Sequence, residues 1–280
     1  MKILVTGAKG FLGQAVAAEL QARGHAVTAL TRQDADVRDS AAMQAACAHM
    51  DTIFHIAGNI RTPATDLPAL HHQVNLGGTI NLLAGASVQG VRRFVYVSTC
   101  EVYGALPGEQ VAEAASKMPA NAYAESKWLA EQACGAMAGR LLTVTILRPS
   151  YILGKGMYSG RLLPRLVDMA LAGKVTMKAS GGNDYVHVQD VAEGVVTLGT
   201  REQPAPLEAF NLGSGRFTLT RELFQIVQEL TGVPFEEEDA ACPPFSLDMT
   251  KAAAAGFIPR RSLRDAVETF FPQRVHGTAR

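Results

Sequence analysis

Tyr123 and Lys127 stand four residues apart in Tyr-Ala-Glu-Ser-Lys, at the head of a helix-like stretch, so both side chains leave one face. An ammonium beside a phenol favours the phenolate and lowers a pKa that is about 10 when unperturbed, which suits Tyr123 to acid or base work near neutral pH. Taken alone, such a pair is most often just decoration of a helix surface. Position gives it meaning. The helix follows an apolar strand pattern ending in Ser98-Thr99, and hydroxyls there fall at the carboxyl edge of a parallel sheet, where ligands bind.

A second run with chemistry in it lies at the start of the chain. Gly7-Ala8-Lys9-Gly10-Phe11-Leu12-Gly13 follows the apolar strand Ile3-Leu4-Val5 and opens a helix-like stretch, 12–23. Glycines at these three spacings let the backbone turn, approach a pyrophosphate and pack helix against strand, while the helix start offers free N–H groups to the anion. The flanking strand and helix set the run apart from a glycine-rich hairpin. Asp36-Val37-Arg38-Asp39 follows where a second strand should have ended. A dinucleotide is the expected ligand.

These residues need a scaffold, and the pattern supplies one. Apolar strand candidates at 3–5, 27–30, 52–56, 93–97 and 142–147 alternate with alanine-rich amphipathic stretches at 15–23, 75–90 and 123–138. Such alternation implies parallel pairing with right-handed crossovers, hence an α/β, Rossmann-like doubly wound sheet. From Ser150 onward glycines and prolines multiply, which marks a smaller, interleaved C-terminal substrate lobe. The reading assigns 1–149 and about 186–202 to the dinucleotide domain, and 150–185 and 203–280 to the lobe, with the strand-like 185–188 returning to the sheet.

Several segments together carry a resemblance: TGAKGFLG (6–13), DVRD (36–39), HIAG (55–58), VNLGGTINLL (74–83), STCEVYG (98–104), YAESK (123–127), LRPS (147–150), DYVHVQDVAEGV (184–195) and FNLGSG (210–215). Over nearly its whole length the chain resembles an extended short-chain dehydrogenase/reductase of the NAD-dependent epimerase/dehydratase family. The resemblance implies that Thr99 hydrogen-bonds the substrate oxygen, Tyr123 exchanges the proton, and Lys127 tunes Tyr123 and holds the nicotinamide ribose. It implies that Gly7, Lys9, Gly10, Phe11, Leu12 and Gly13 form the pyrophosphate loop, that Asp36 and Val37 meet the adenine, and that Ala57, Gly58 and Asn75 line or flank the cofactor. Cys100, Glu101 and Ser150 are candidates for substrate contact or further acid–base work.

Departures from the family pattern narrow the chemistry. Dehydratases of the family carry an Asp-Glu pair after the Thr, whereas this chain has Cys100-Glu101. Glu101 could abstract a proton or be a carboxylate satisfied by backbone N–H groups. Cys100 lacks an adjacent base and reads as packing; His55 and His187 read as satisfied core histidines. The family's diphosphate-gripping Arg is replaced by Gly182-Asn183, leaving Lys155, Arg161 and Arg165 as candidate cations.

Strand 27–30 ends in Thr31-Arg32, where NAD-selective relatives place an acid; Arg32 and Lys9 could pair with a 2′-phosphate. NADP is the expected cofactor, with Asp34 and Asp36 keeping NAD open. The leading function is NAD(P)-dependent oxidoreduction of a keto or secondary-alcohol carbon, in its most concrete form nucleotide-sugar 4-ketoreduction. Alternatives are an epimerase that retains its cofactor, a dehydrogenase or ketoreductase for a non-nucleotide substrate, and, remotely, a nonenzymatic nucleotide sensor.

Composition bounds the partners. Lys+Arg and Asp+Glu each number 26 in 280 residues, so no net field favours nucleic acid or an anionic membrane. The four cysteines show no CxxC spacing, which argues against a metal or a disulfide framework and, with no targeting pattern, suggests the cytoplasm. A homodimer is expected through helices 75–90 and 123–138, with Leu76, Ile80, Leu83, Trp128 and Leu129 on or beneath that surface.

Overall fold

Strands buried on both faces need apolar side chains at nearly every position, and this chain supplies them in short runs. The computed structural model describes residues 1–104, 108–139, 142–238 and 242–271. Six strands, β1 (Lys2–Thr6), β2 (Ala26–Leu30), β3 (Thr52–His55), β4 (Arg93–Val97), β5 (Thr143–Pro149) and β6 (Leu207–Leu212), form one sheet. Every pairing is parallel, in the order β2-β1-β3-β4-β5-β6.

Alternating side chains then build two cores. Ile3, Val5, Phe54 and Val95 face α1 (Phe11–Ala22) and α6 (Val188–Thr200), while Leu4, Ile53, Phe94 and Val144 face α2 (Ser40–Ala46), α3 (Gly78–Gln89) and α4 (Ala122–Met137). The chain leaves β1 for β2 on one side and reaches β3 on the other, opening a crevice at the carboxyl ends of β1 and β3.

Two expectations fail in detail. Tyr185–His187 does not join the main sheet; it pairs in parallel with Tyr151–Leu153. It ends after three residues because the His187 ring accepts the Gln189 N–H at 3.0 Å and starts α6. The sixth strand is instead β6, within the stretch 203–280 read as substrate lobe, where Phe210, Asn211 and Leu212 are buried beside β5.

Beyond the sheet, α5 (Leu162–Leu171) and α7 (Thr220–Thr231) share a separate core of Leu163, Leu166, Leu223 and Phe224. Buried Asp184 ties this region to the sheet by accepting from the backbone N–H groups of Ser214 at 2.7 Å, Gly215 at 3.2 Å and Leu247 at 3.0 Å. No helix of the described residues is long and apolar enough to cross a membrane.

Candidate active site

The crevice holds a cavity of about 650 Å³ that opens beside a smaller one of about 210 Å³. Their shared border is Gly7, Thr31, Arg32, Ala57 and Gly58. The loop after β1 is built for close approach. Gly7 turns at φ +69°, and a Cβ on Gly13 would lie 2.0 Å from the Gly7 carbonyl oxygen, so no side chain fits where α1 packs under the turn. Gly10 N-caps α1 without a side-chain bond, leaving first-turn N–H groups at the cavity. These features fit a dinucleotide pyrophosphate.

The smaller cavity contains Asp36 and Val37 together with Leu30, Ala35, Leu70 and Val74, apolar side chains that could take a flat ring. Asp36 is held by Arg38 at 2.6 Å, and that hydrogen bond pulls its carboxyl down to about 2. Lys9 donates to Gln33 Oε1 at 2.6 Å. The Arg32 side chain is 84% exposed and only 3.9 Å from Asp36, so solvent screening leaves it loosely tied.

Tyr123 and Lys127 are placed by the start of α4. Asn121 accepts the Ala124 N–H at 2.9 Å, an N-cap that puts both residues in the first two turns and aims them into the larger cavity. Lys127 Nζ donates to the Val97 carbonyl at 2.6 Å and lies 4.4 Å over the Tyr96 ring. Burial pushes its pKa down to about 8, against the opposing charge of Glu131.

Tyr123 departs from the sequence expectation. Burial drives its phenol above the ordinary value, with the Glu101 charge acting in the same direction and the Thr99 hydroxyl opposing. The free protein therefore keeps Tyr123 protonated, because desolvation of a phenolate outweighs the help of nearby donors. Its ring packs edge-on against His71 at 5.7 Å.

Thr99 ends the turn after β4. Its Oγ accepts the Glu101 N–H at 3.2 Å, which leaves its own O–H to donate into the cavity. Glu101 also lines the cavity, and its carboxylate accepts from Asn121 Nδ2 at 3.1 Å and pairs with Arg61 at 3.6 Å. Ser150 lines the same wall, with its Oγ 3.3 Å from Asp184.

Two candidates lie behind the wall. Cys100 is buried and does not line the cavity, and burial pushes its thiol up, so it packs beneath Thr99. Asn75, in a single π-helical turn (His72–Gly77), accepts the Asn59 N–H at 2.7 Å and donates to Ser126 Oγ at 2.9 Å, bracing the loop after Gly58. His55 bonds Thr6 Oγ at 2.7 Å and Thr79 Oγ at 3.0 Å, and burial pulls it down to about 3. It is a satisfied core residue.

The cavity also has walls that sequence reasoning did not find. Ile60, Tyr151, Met157, Tyr158 and Leu223 come from four separate segments, and no local pattern marks them, since only tertiary packing brings them to the cavity. Ser98, read from the sequence with Thr99 as a hydroxyl at the sheet edge, lines the same cavity.

Residues 3–213 match the profile of the NAD dependent epimerase/dehydratase family. A 2-alkyl-3-oxoalkanoate reductase of Stenotrophomonas maltophilia (strain K279a) is 32% identical over 69% of this chain, and the match spans 63% of that relative's own length. A UDP-glucose 4-epimerase of Rhizobium leguminosarum bv. trifolii is 25% identical over 84% of each chain. Among solved structures, the UDP-glucose-4-epimerase from Stenotrophomonas maltophila with bound NAD and formylated UDP-arabinopyranose superimposes with a TM-score of 0.88, at 26% identity over 96% of each chain. With its glycine turn, its Thr99, Tyr123 and Lys127 on one cavity wall and its match over 3–213, the chain is an enzyme that belongs to the NAD-dependent epimerase/dehydratase family.

Proposed function

We propose that the chain is an NAD(P)H-dependent ketoreductase that converts a keto carbon to a secondary alcohol. One observation carries this reading: Thr99 and Tyr123 line one cavity, and Tyr123 is kept protonated, as a proton donor must be. When bound, the reduced nicotinamide supplies the hydride. Thr99 O–H holds the carbonyl oxygen, and Tyr123 gives that oxygen its proton as negative charge develops there. The ammonium of Lys127 stabilises the resulting phenolate until solvent restores the proton.

Reduction of a 4-keto nucleotide sugar is one form of this chemistry, supported by the UDP-glucose 4-epimerase relative; reduction of an oxo acid is another, supported by the oxoalkanoate reductase. The same three residues would also serve an epimerase that keeps its cofactor. Stoichiometry separates the classes: a ketoreductase oxidises one NAD(P)H per substrate, and turnover without net loss of absorbance at the nicotinamide band would assign the epimerase.

NADPH is the proposed reductant, because Lys9 and Arg32 line the cavity and Arg32 is loosely held. Calorimetric titration should show tighter NADPH than NADH binding, and Arg32→Ala should lower that preference by about 10-fold or more. Tighter NADH binding by the unaltered chain refutes this assignment.

A homodimer is proposed through α3 and α4. Ile80 and Leu129 are 48% and 37% exposed, whereas Leu83 lies in the core beneath them and Trp128 packs near Cys100. Light scattering at micromolar protein should give twice the chain mass, and a monomer mass would remove the dimer.

A further inference from the structure

We propose that Arg161 is the anion-binding residue of the substrate site, and that the substrate is an acyclic oxo acid with one carboxylate and an alkyl substituent. This rests on the ketoreductase reading. Arg161 lines the same cavity as Thr99 and Tyr123. It sits at the N-cap of α5, with no acid in the first turn and Arg165 one turn on. Neither guanidinium has an ion-pair partner among the described residues. Two like charges at the positive end of a helix repel one another and the helix dipole, a cost that a bound carboxylate relieves through a bidentate pair.

A second, independent feature points to a polar ligand in this cavity. Ser98, 4% exposed, lines it, and its Oγ has no hydrogen-bond partner. A buried hydroxyl left unpaired is costly, and a ligand oxygen would satisfy it. Arg161, Tyr123 and Tyr151 all line this one cavity, and the Arg161 charge opposes the rise that burial gives both phenols. One short substrate can then present its carbonyl to Tyr123 and its carboxylate to Arg161.

Ile60, Met157, Leu162, Leu163 and Leu223 give the cavity an apolar stretch beside the polar side chains of Glu101, Ser150, Tyr151, Tyr158 and Asn183, and that stretch takes an alkyl group. A diphosphate would need more cations here than Arg161, and Gly182 cannot be replaced by one, because a Cβ there would come within 2.7 Å of the Thr218 carbonyl.

The test uses the purified full chain with NADPH and three probes: freshly prepared 2-methyl-3-oxooctanoate, its methyl ester, and a UDP-linked 4-keto sugar. Wild-type kcat/KM should favour the acid over the ester by about 30-fold or more, and Arg161→Gln should bring that ratio near unity, with partial recovery in Arg161→Lys. Calorimetry with 3-hydroxyoctanoate on the cofactor-loaded protein should show binding that Arg161→Gln loses. Equal rates on acid and ester, or hydroxy-acid binding unaltered in Arg161→Gln, would overturn the proposal. Reduction of the keto sugar alone would overturn it while sparing the ketoreductase reading; hydroxy-acid binding with no probe reduced would keep the anion site and sink the ketoreductase.

Discussion

Tyr123→Phe should lower ketone turnover by about 10²- to 10⁴-fold while leaving cofactor affinity within a few-fold. The ring remains packed against His71, so the fold loses nothing but a hydroxyl. On the proposed mechanism that hydroxyl is the proton source, while the Thr99 O–H orients the carbonyl. The pH profile adds a second signature. Lys127 is protonated below its pKa of about 8 and loses its charge as pH rises through that value, whereas Tyr123 stays protonated well beyond it. Free-enzyme kcat/KM for reduction should therefore fall on the alkaline side near pH 8. Near-normal turnover in Tyr123→Phe would remove the mechanism and turn attention to Glu101, a carboxylate that lines the same cavity.

What could be read from the sequence was local. The glycine turn, the Tyr-Ala-Glu-Ser-Lys helix start and the Ser98-Thr99 strand end each depend on residues close in the chain, and the structure brings all three to one cavity. Two errors came from long-range effects. The phenol of Tyr123 was expected to be lowered by its neighbour on the helix, but burial, a property of the assembled walls, dominates. Residues 185–188 look like a sheet strand by composition, yet pairing to Tyr151–Leu153 depends on where the chain has already gone. The wall around Arg161 was the least legible part: the sequence marked Arg161 only as one of three candidate cations, and the apolar residues that line the cavity with it are brought there by tertiary packing.

The largest stability effect should come from the ion pair that joins α4 to β5. Glu131 on α4 and Arg148 on β5 are 1% and 5% exposed in their side chains and meet at 2.6 Å, with a second contact at 3.0 Å. Arg148 also donates to Tyr103 Oη at 2.9 Å, and Tyr103 donates to Asn211 Oδ1 at 2.7 Å. Arg148→Met leaves Glu131 as a buried, uncompensated charge and should cost about 3–5 kcal/mol, read from the shift of a urea unfolding midpoint at unchanged slope. The double variant Glu131→Met with Arg148→Met removes both charges and should recover most of that loss, since a buried pair offsets little more than its own desolvation. Recovery of stability should not restore the pH profile. Glu131 lies four residues beyond Lys127, and its charge raises the Lys127 pKa against burial; without it the ammonium is lost earlier, so the alkaline limb should move below pH 8. A single Arg148→Met costing under about 1 kcal/mol would show that the pair does not hold α4 to β5. An unmoved limb in the double variant would show that Lys127 draws its charge from other contacts.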